Sequence, residues 1–384
     1  MSFNYTDADF GGFGFTESTI NTWIAIADFI SSISMTVVTY EFYLACGGVV
    51  ANVFHLLILL QKSMRSNSVN VVMIGIAACD LFSMGFTVFS NLLVLVNSNP
   101  ECWNSSNYSV IVIQLWGSAI NDDLRRMTPW LGILMAVIRF LIIKNSLNPK
   151  FQKLSDPMFS VTITLITWIL STLWSMFYFL RLSVTDVGIP WEPAPTCTAF
   201  PLNYTEHQYD FTIDQTYMSN AVFIIKVYLI IDGILKIIPT IMFPILTFLL
   251  IRELKAAQSS RQKISAAVQR KEESTRSDHT TSLVILMTVT FMTGEGLLGI
   301  CYVVQGLITS YPIFVQIVTD LSYIFGIFVA LNSSTHCLIC LTVSSQYRRT
   351  VKSLFLCESC KPRKASSKVC VSAKASVSSM APVT

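Results

Sequence analysis

Seven long apolar stretches divide the chain, over residues 37–60, 71–96, 110–143, 158–180, 221–251, 283–308 and 313–343. At about 1.5 Å per helical residue, each is long enough to cross about 30 Å of hydrocarbon. In that medium only a helix satisfies all of its backbone donors and acceptors within one segment. The expected fold is therefore an all-α membrane protein. A seven-helix bundle takes residues 37–343, preceded by an extracellular segment 1–36 and followed by a short amphipathic helix over 344–357 and a disordered cytosolic tail over 358–384.

The loops fix an expected orientation. Lys62 and Arg65, then Lys144, Lys150 and Lys153, then seven basic residues from Arg252 to Arg276 and eight from Arg348 to Lys374 all fall on one side, against Arg181 on the other. By the positive-inside rule the N-terminus is extracellular and the C-terminus cytosolic, as at a plasma membrane. With 52% hydrophobic and 13% charged residues the composition is that of a membrane protein, and a net charge of +3 gives no reason to expect a nucleic-acid partner. Asp7, Asp9, Glu17 and Asp28, with no basic region before an apolar core, argue against a cleavable leader. Residues 20–35 are moderately apolar. They read as an extracellular segment, with an eighth span as the alternative.

Of ten cysteines, Cys102 and Cys197 fall on the expected outer face, where a disulfide is expected to tie the start of span three to the loop between spans four and five. Cys357 and Cys360 follow the amphipathic segment on the inner side and are candidates for palmitoylation at the lipid surface. In that segment Tyr347, Val351, Leu354 and Phe355 share one face and Arg348, Arg349 and Lys352 another. Sequons at Asn4, Asn104, Asn107 and Asn203 all lie on the expected outer side as glycosylation candidates, the middle pair too close for both to be used.

An ionisable side chain inside a span is costly and is normally paired or lines a cavity. Asp80 lies deep in span two, within expected reach of Asn52 and Asn332. This set reads either as a polar relay that holds a sodium ion or as static interhelical glue. Span three carries Asp122, Asp123, Arg125 and Arg126; span five carries Asp232 and Lys236; Glu295 stands alone in span six. Internal pairs at i, i+4 (Asp122–Arg126, Asp232–Lys236) and i, i+3 (Asp123–Arg126) are the simple reading. Asp122, Asp123, Arg125, Arg126, Asp232 and Glu295 are the candidate ligand contacts. Arg139, at the inner end of span three, reads either as a snorkelling arginine at the membrane boundary or, should the chain be a receptor, as the contact for a G protein.

The stretches His55–Asn70, Ala77–Leu81, Trp130–Arg139, Asp232–Pro239, Leu331–Cys337 and Ser344–Arg348, with Trp168, Phe291, Glu295 and Gly299, resemble the rhodopsin-like G-protein-coupled receptors. Within that class they resemble the nematode serpentine receptor class W family in particular, which is related to FMRFamide-type neuropeptide receptors. That resemblance implies a receptor for an extracellular ligand, expected to be a peptide, that activates a heterotrimeric G protein. A chemosensory receptor for non-peptide ligands is the alternative within the class. Departures are visible: Ile138 stands where an acid usually precedes the arginine, residues 332–336 read Asn-Ser-Ser-Thr-His in place of Asn-Pro-X-X-Tyr, and span six lacks its usual proline.

Other classes fare worse. A transporter or channel should show inverted repeats or broken helices at matching positions, and none is evident. The histidines at 55, 207, 279 and 336 make no metal-ligand cluster, which disfavours an enzyme. Span seven has no lysine for a retinal Schiff base.

Overall fold

A computed structural model describes residues 10, 14–97, 102–145, 148–201, 203–262, 289 and 291–355. Its helices are α1 (Glu17–Leu59), α2 (Ser68–Asn97), α3 (Tyr108–Lys144), α4 (Pro157–Phe179), α5 (Ala221–Gln262), α6 (Leu297–Leu307), α7 (Pro312–Val343) and α8 (Ser345–Phe355). Of these, six are long and apolar enough to cross a membrane. The expected sixth span is described only in its second half, where a π-helical turn, Met292–Gly296, runs directly into α6. Asn4, Cys357 and Cys360 lie outside the described residues.

Many of the bundle's large apolar side chains face out. On α4 the exposed residues include Leu165, Ile166, Ile169, Leu170 and Leu173, whereas its buried residues are Ser160, Ser171 and Ser175. Small residues let helices approach closely where lipid supplies no hydrophobic drive for them to associate. Among the described glycines the tightest approach to another backbone joins α5 to α6. A Cβ on Gly233 would sit 2.6 Å from the Gly299 carbonyl oxygen, and one on Gly299 would sit 2.9 Å from that of Gly233. Apolar contacts fill the other seams, as where Val72, Ile76, Met127, Leu131 and Ile138 pack between α2 and α3.

One boundary differs from the sequence expectation. Helix α1 begins at Glu17, capped by the Thr16 hydroxyl, so residues 20–35 are not a separate span but the N-terminal part of a single 43-residue helix. Asp28 is exposed on the surface of this helix. At about 64 Å, α1 is about twice the hydrocarbon thickness. Its outer part is held by α7: Phe10 and Ala27 are buried against Ile313 and Ile317, and Trp23 meets Phe314 edge-on at 5.0 Å. Burying Phe10 completely contributes about 1.5–3 kcal/mol.

At the same end as Pro312, strands β1 (Leu182–Asp186) and β2 (Tyr209–Ile213) form an antiparallel hairpin with Leu182 opposite Ile213 and Asp186 opposite Tyr209. The Cys102–Cys197 disulfide is present, its Cα atoms 5.5 Å apart, and ties the hairpin's loop to the start of α3. A backbone bond of 2.7 Å from Tyr209 N–H to the Ser106 carbonyl adds a second link. Asn104 belongs to this clasp. It is buried, and its amide donates to Glu206 at 3.0 Å and to the His207 carbonyl at 3.2 Å. Asn107 caps α3 by accepting from Val110 N–H. Asn203 is exposed and has a positive φ of 63°. Of the three described sequons, Asn203 therefore offers the accessible acceptor, while the Asn104 amide is committed to protein contacts. The Glu206 carboxyl also accepts from Tyr204 at 2.5 Å, and these two donors, Tyr204 first, hold it below the usual carboxylate range.

At the opposite end α8 turns back under the bundle. Tyr347 is fully buried among Ile58, Leu59, Met64 and Ala77, and its hydroxyl lies 2.9 Å from His55 Nδ1. Arg348 donates to the last carbonyls of α7 at Leu341 and Thr342, satisfying acceptors that a helix end leaves open.

Candidate functional site

The polar side chains inside the bundle fall into three groups. The first joins α3, α4 and α5. Arg126 Nε donates to Asp232 Oδ1 at 2.6 Å and its Nη2 to Asp122 Oδ2 at 2.5 Å. The remaining donor, Nη1, reaches the Ser171 carbonyl and hydroxyl and the Ser175 hydroxyl at 3.1 to 3.2 Å. Lys236 pairs with the other oxygen of Asp232 and lies 4.4 Å from the Tyr302 ring centre. Tyr228 donates to Asp122 and accepts from Arg126 at 3.0 Å. Two acids and two bases cancel in this buried set. A charge out of water is tolerated only when it is paired and its remaining hydrogen bonds are made.

The expected i, i+4 pairs are both present, while the i, i+3 pair is not. Asp123 turns to α4 instead, where Thr172 donates to it at 2.7 Å. Asp122, Arg126 and Asp232, named from sequence as ligand contacts, are thus saturated by one another, and Asp123 faces α4. Sequence reasoning missed Tyr228, and it noted Lys236 as a pair without placing it in the site.

The second group is not saturated. Arg125 and Glu295 share the walls of an internal cavity of about 20 Å³ with Glu41, Asp80 and Asn332, room for about one water. Arg125 Nε and Nη2 and Glu295 Oε2 are buried without a hydrogen-bond partner among the described residues. A π-helical turn carries Glu295, and such turns mid-helix often mark functional positions. Glu41 is buried on α1 and accepts from the Asn91 amide at 3.2 Å. It escaped the sequence reading, although an acid within an apolar stretch was the signal to look for.

The third group surrounds Asp80. Asn52 was expected to reach it directly; instead the Asn52 amide donates to the Ser333 carbonyl at 3.2 Å, and the Ser333 hydroxyl donates to Asp80 Oδ1 at 3.2 Å. His336 Nδ1 lies 2.8 Å from Asp80 Oδ2. A sodium ion at Asp80 therefore has to share the carboxylate with an imidazole. His336 occupies the place where the wider receptor pattern has tyrosine. Among the described residues no group of three or more His, Cys, Asp or Glu is placed to hold a metal.

Arg139 sits toward the α8 end of α3, on the wall of a separate cavity that His336 and Tyr347 also line. Its neighbour Ile138 is buried in the α2–α3 core, so no adjacent acid holds the guanidinium.

Comparison with known proteins gives one family. Residues 39–358 match the family described as "Serpentine type 7TM GPCR chemoreceptor Srw". No curated protein matches the chain. The matched region runs from the third residue of the first expected span through the seventh and the helix beyond it, and the polar interior, disulfide and docked α8 lie within it. A receptor class, not an enzyme, is thereby assigned: the chain belongs to the Srw family of serpentine seven-transmembrane G-protein-coupled chemoreceptors.

Proposed function

We propose that this receptor binds an extracellular peptide at the disulfide end of the bundle and activates a heterotrimeric G protein at the α8 end, through Arg139. The observation that carries the reading is the unsatisfied pair on the small internal cavity. Burying a donor or acceptor without a partner costs about 1–3 kcal/mol, and here Arg125 and Glu295 stand so on one cavity. A ligand group that accepts from Arg125 and donates to Glu295 recovers that cost. An arrangement of helices that admits such a group is favoured by the ligand's differential affinity for it.

A peptide is favoured by the hairpin beside the bundle's disulfide end. Its apolar side chains Val187, Ile189 and Phe211 are exposed, and a two-stranded sheet offers strand edges to an extended chain. The competing reading, a small non-peptide chemical, is favoured by the small volume of the inner cavity and by the family's chemoreceptor description.

The test is a calcium or cAMP screen of the expressed receptor against amidated peptides and small volatiles. A peptide response that Arg125→Gln and Glu295→Gln each weaken about tenfold or more, at unchanged surface level, is expected. A response confined to volatiles overturns the peptide assignment.

A further inference from the structure

The cavity at the α8 end measures about 150 Å³. Its walls are mainly apolar, with Met73, Ile76, Met135, Phe243 and Ile339 among them, and among the described residues no Asp or Glu lines it. Three basic side chains line it among the described residues, from α1, α3 and α7. Two are engaged, His55 with Tyr347 at 2.9 Å and His336 with Asp80 at 2.8 Å. The third, Arg139, has no carboxylate partner among the described residues.

We infer that this cavity is a binding site for a small aromatic carboxylate, its ring among Met73, Ile76 and Phe243 and its carboxylate on Arg139. An apolar cavity of about 150 Å³ admits a benzene-sized guest. The planar guanidinium fork suits a carboxylate, which it bonds through two parallel N–H groups. A ligand of this kind reaches Arg139 from the side opposite the disulfide. Resting on the proposed role of Arg139, its occupancy competes with the G protein and holds the receptor silent.

The probe is 4-fluorobenzoate, followed by fluorine NMR with the full-length receptor in lipid nanodiscs and with empty nanodiscs as reference. The neutral isostere 4-fluorobenzamide isolates the charge. Saturable binding of the benzoate, about tenfold tighter than that of the amide, is expected. Arg139→Gln brings the benzoate down to the level of the amide, and Ile339→Trp, which fills the cavity, removes both. Met135→Trp serves as a second filling variant, so that misfolding of either one leaves the test intact. Equal binding of the two probes, no saturable binding, or binding that survives a folded filling variant overturns the inference. The readout is binding alone, so a receptor that proves silent in signalling assays leaves this result standing.

Discussion

Asp232→Asn is the sharpest probe of the charged set between α3, α4 and α5. Asp232 is fully buried, Arg126 and Lys236 are 3% and 1% exposed, and Asp122 is the other anion of the set. Neutralising Asp232 leaves two buried cations to share Asp122. Removing one partner of a buried ion pair costs about 3–5 kcal/mol. At about 2–4 °C per kcal/mol, the shift seen for domains of 150–250 residues, the unfolding midpoint should fall by about 6–20 °C. The double variant Asp232→Leu, Lys236→Leu removes one charge of each sign and keeps the 2.5 Å Asp122–Arg126 pair. Its loss should be less than half that of the single variant, because no cation is left uncompensated. Buried thiols at Cys79, Cys301 and Cys340 give the assay, since a thiol-reactive dye labels them as the bundle opens. A single variant that melts with the parent, or a double variant that melts below the single, refutes the account of a neutral, mutually satisfied set.

Gly233→Ala places a methyl 2.6 Å from the Gly299 carbonyl oxygen; overpacking of this kind costs about 1–3 kcal/mol, and an unchanged melting point would show that the seam is looser than described. Arg139→Ala leaves no carboxylate stranded, so it should abolish G-protein activation in a nucleotide-exchange assay while surface expression stays normal, and normal exchange rules out its coupling role. His336→Asn frees Asp80 Oδ2, so added sodium should shift agonist affinity more in that variant than in the parent. Equal sodium responses would remove the competition argued from the 2.8 Å contact. The Glu206 carboxyl, held below its usual range by Tyr204 and Asn104, lends the hairpin stability above the ordinary carboxylate range that is lost as pH falls through the lowered value. Hydrogen exchange of residues 191–207 should rise at that acid step, and Glu206→Gln should remove it.

Spans could be read from sequence because hydrocarbon imposes one rule on every residue within it, and composition over twenty or more positions reports that rule redundantly. The outer start of α1 could not, because one charged residue, Asp28, carries no information about which way a helix turns it. The site was legible as a set of ionisable residues in spans but not as partnerships. Arg125 and Arg126 are adjacent, so on a helix they point about 100° apart. One faces the serines of α4 and the acid of α5, while the other faces the internal cavity, and no spacing within α3 distinguishes them. His336 was visible only as a departure from a pattern. Its contact with Asp80 depends on the register of α7 against α2, which sequence alone does not supply. Tyr228 gave no signal, since an aromatic residue in an apolar stretch is ordinary there.

Helix α1 has no joint. It continues from Leu59 to Glu17 with Trp23 and Ala27 locked to the head of α7, so a tilt of its lower part must swing its upper part as a lever about twice as long as the membrane is thick. That swing carries the head of α7 with it, so a dye on Ser18 would report the movement of the two together.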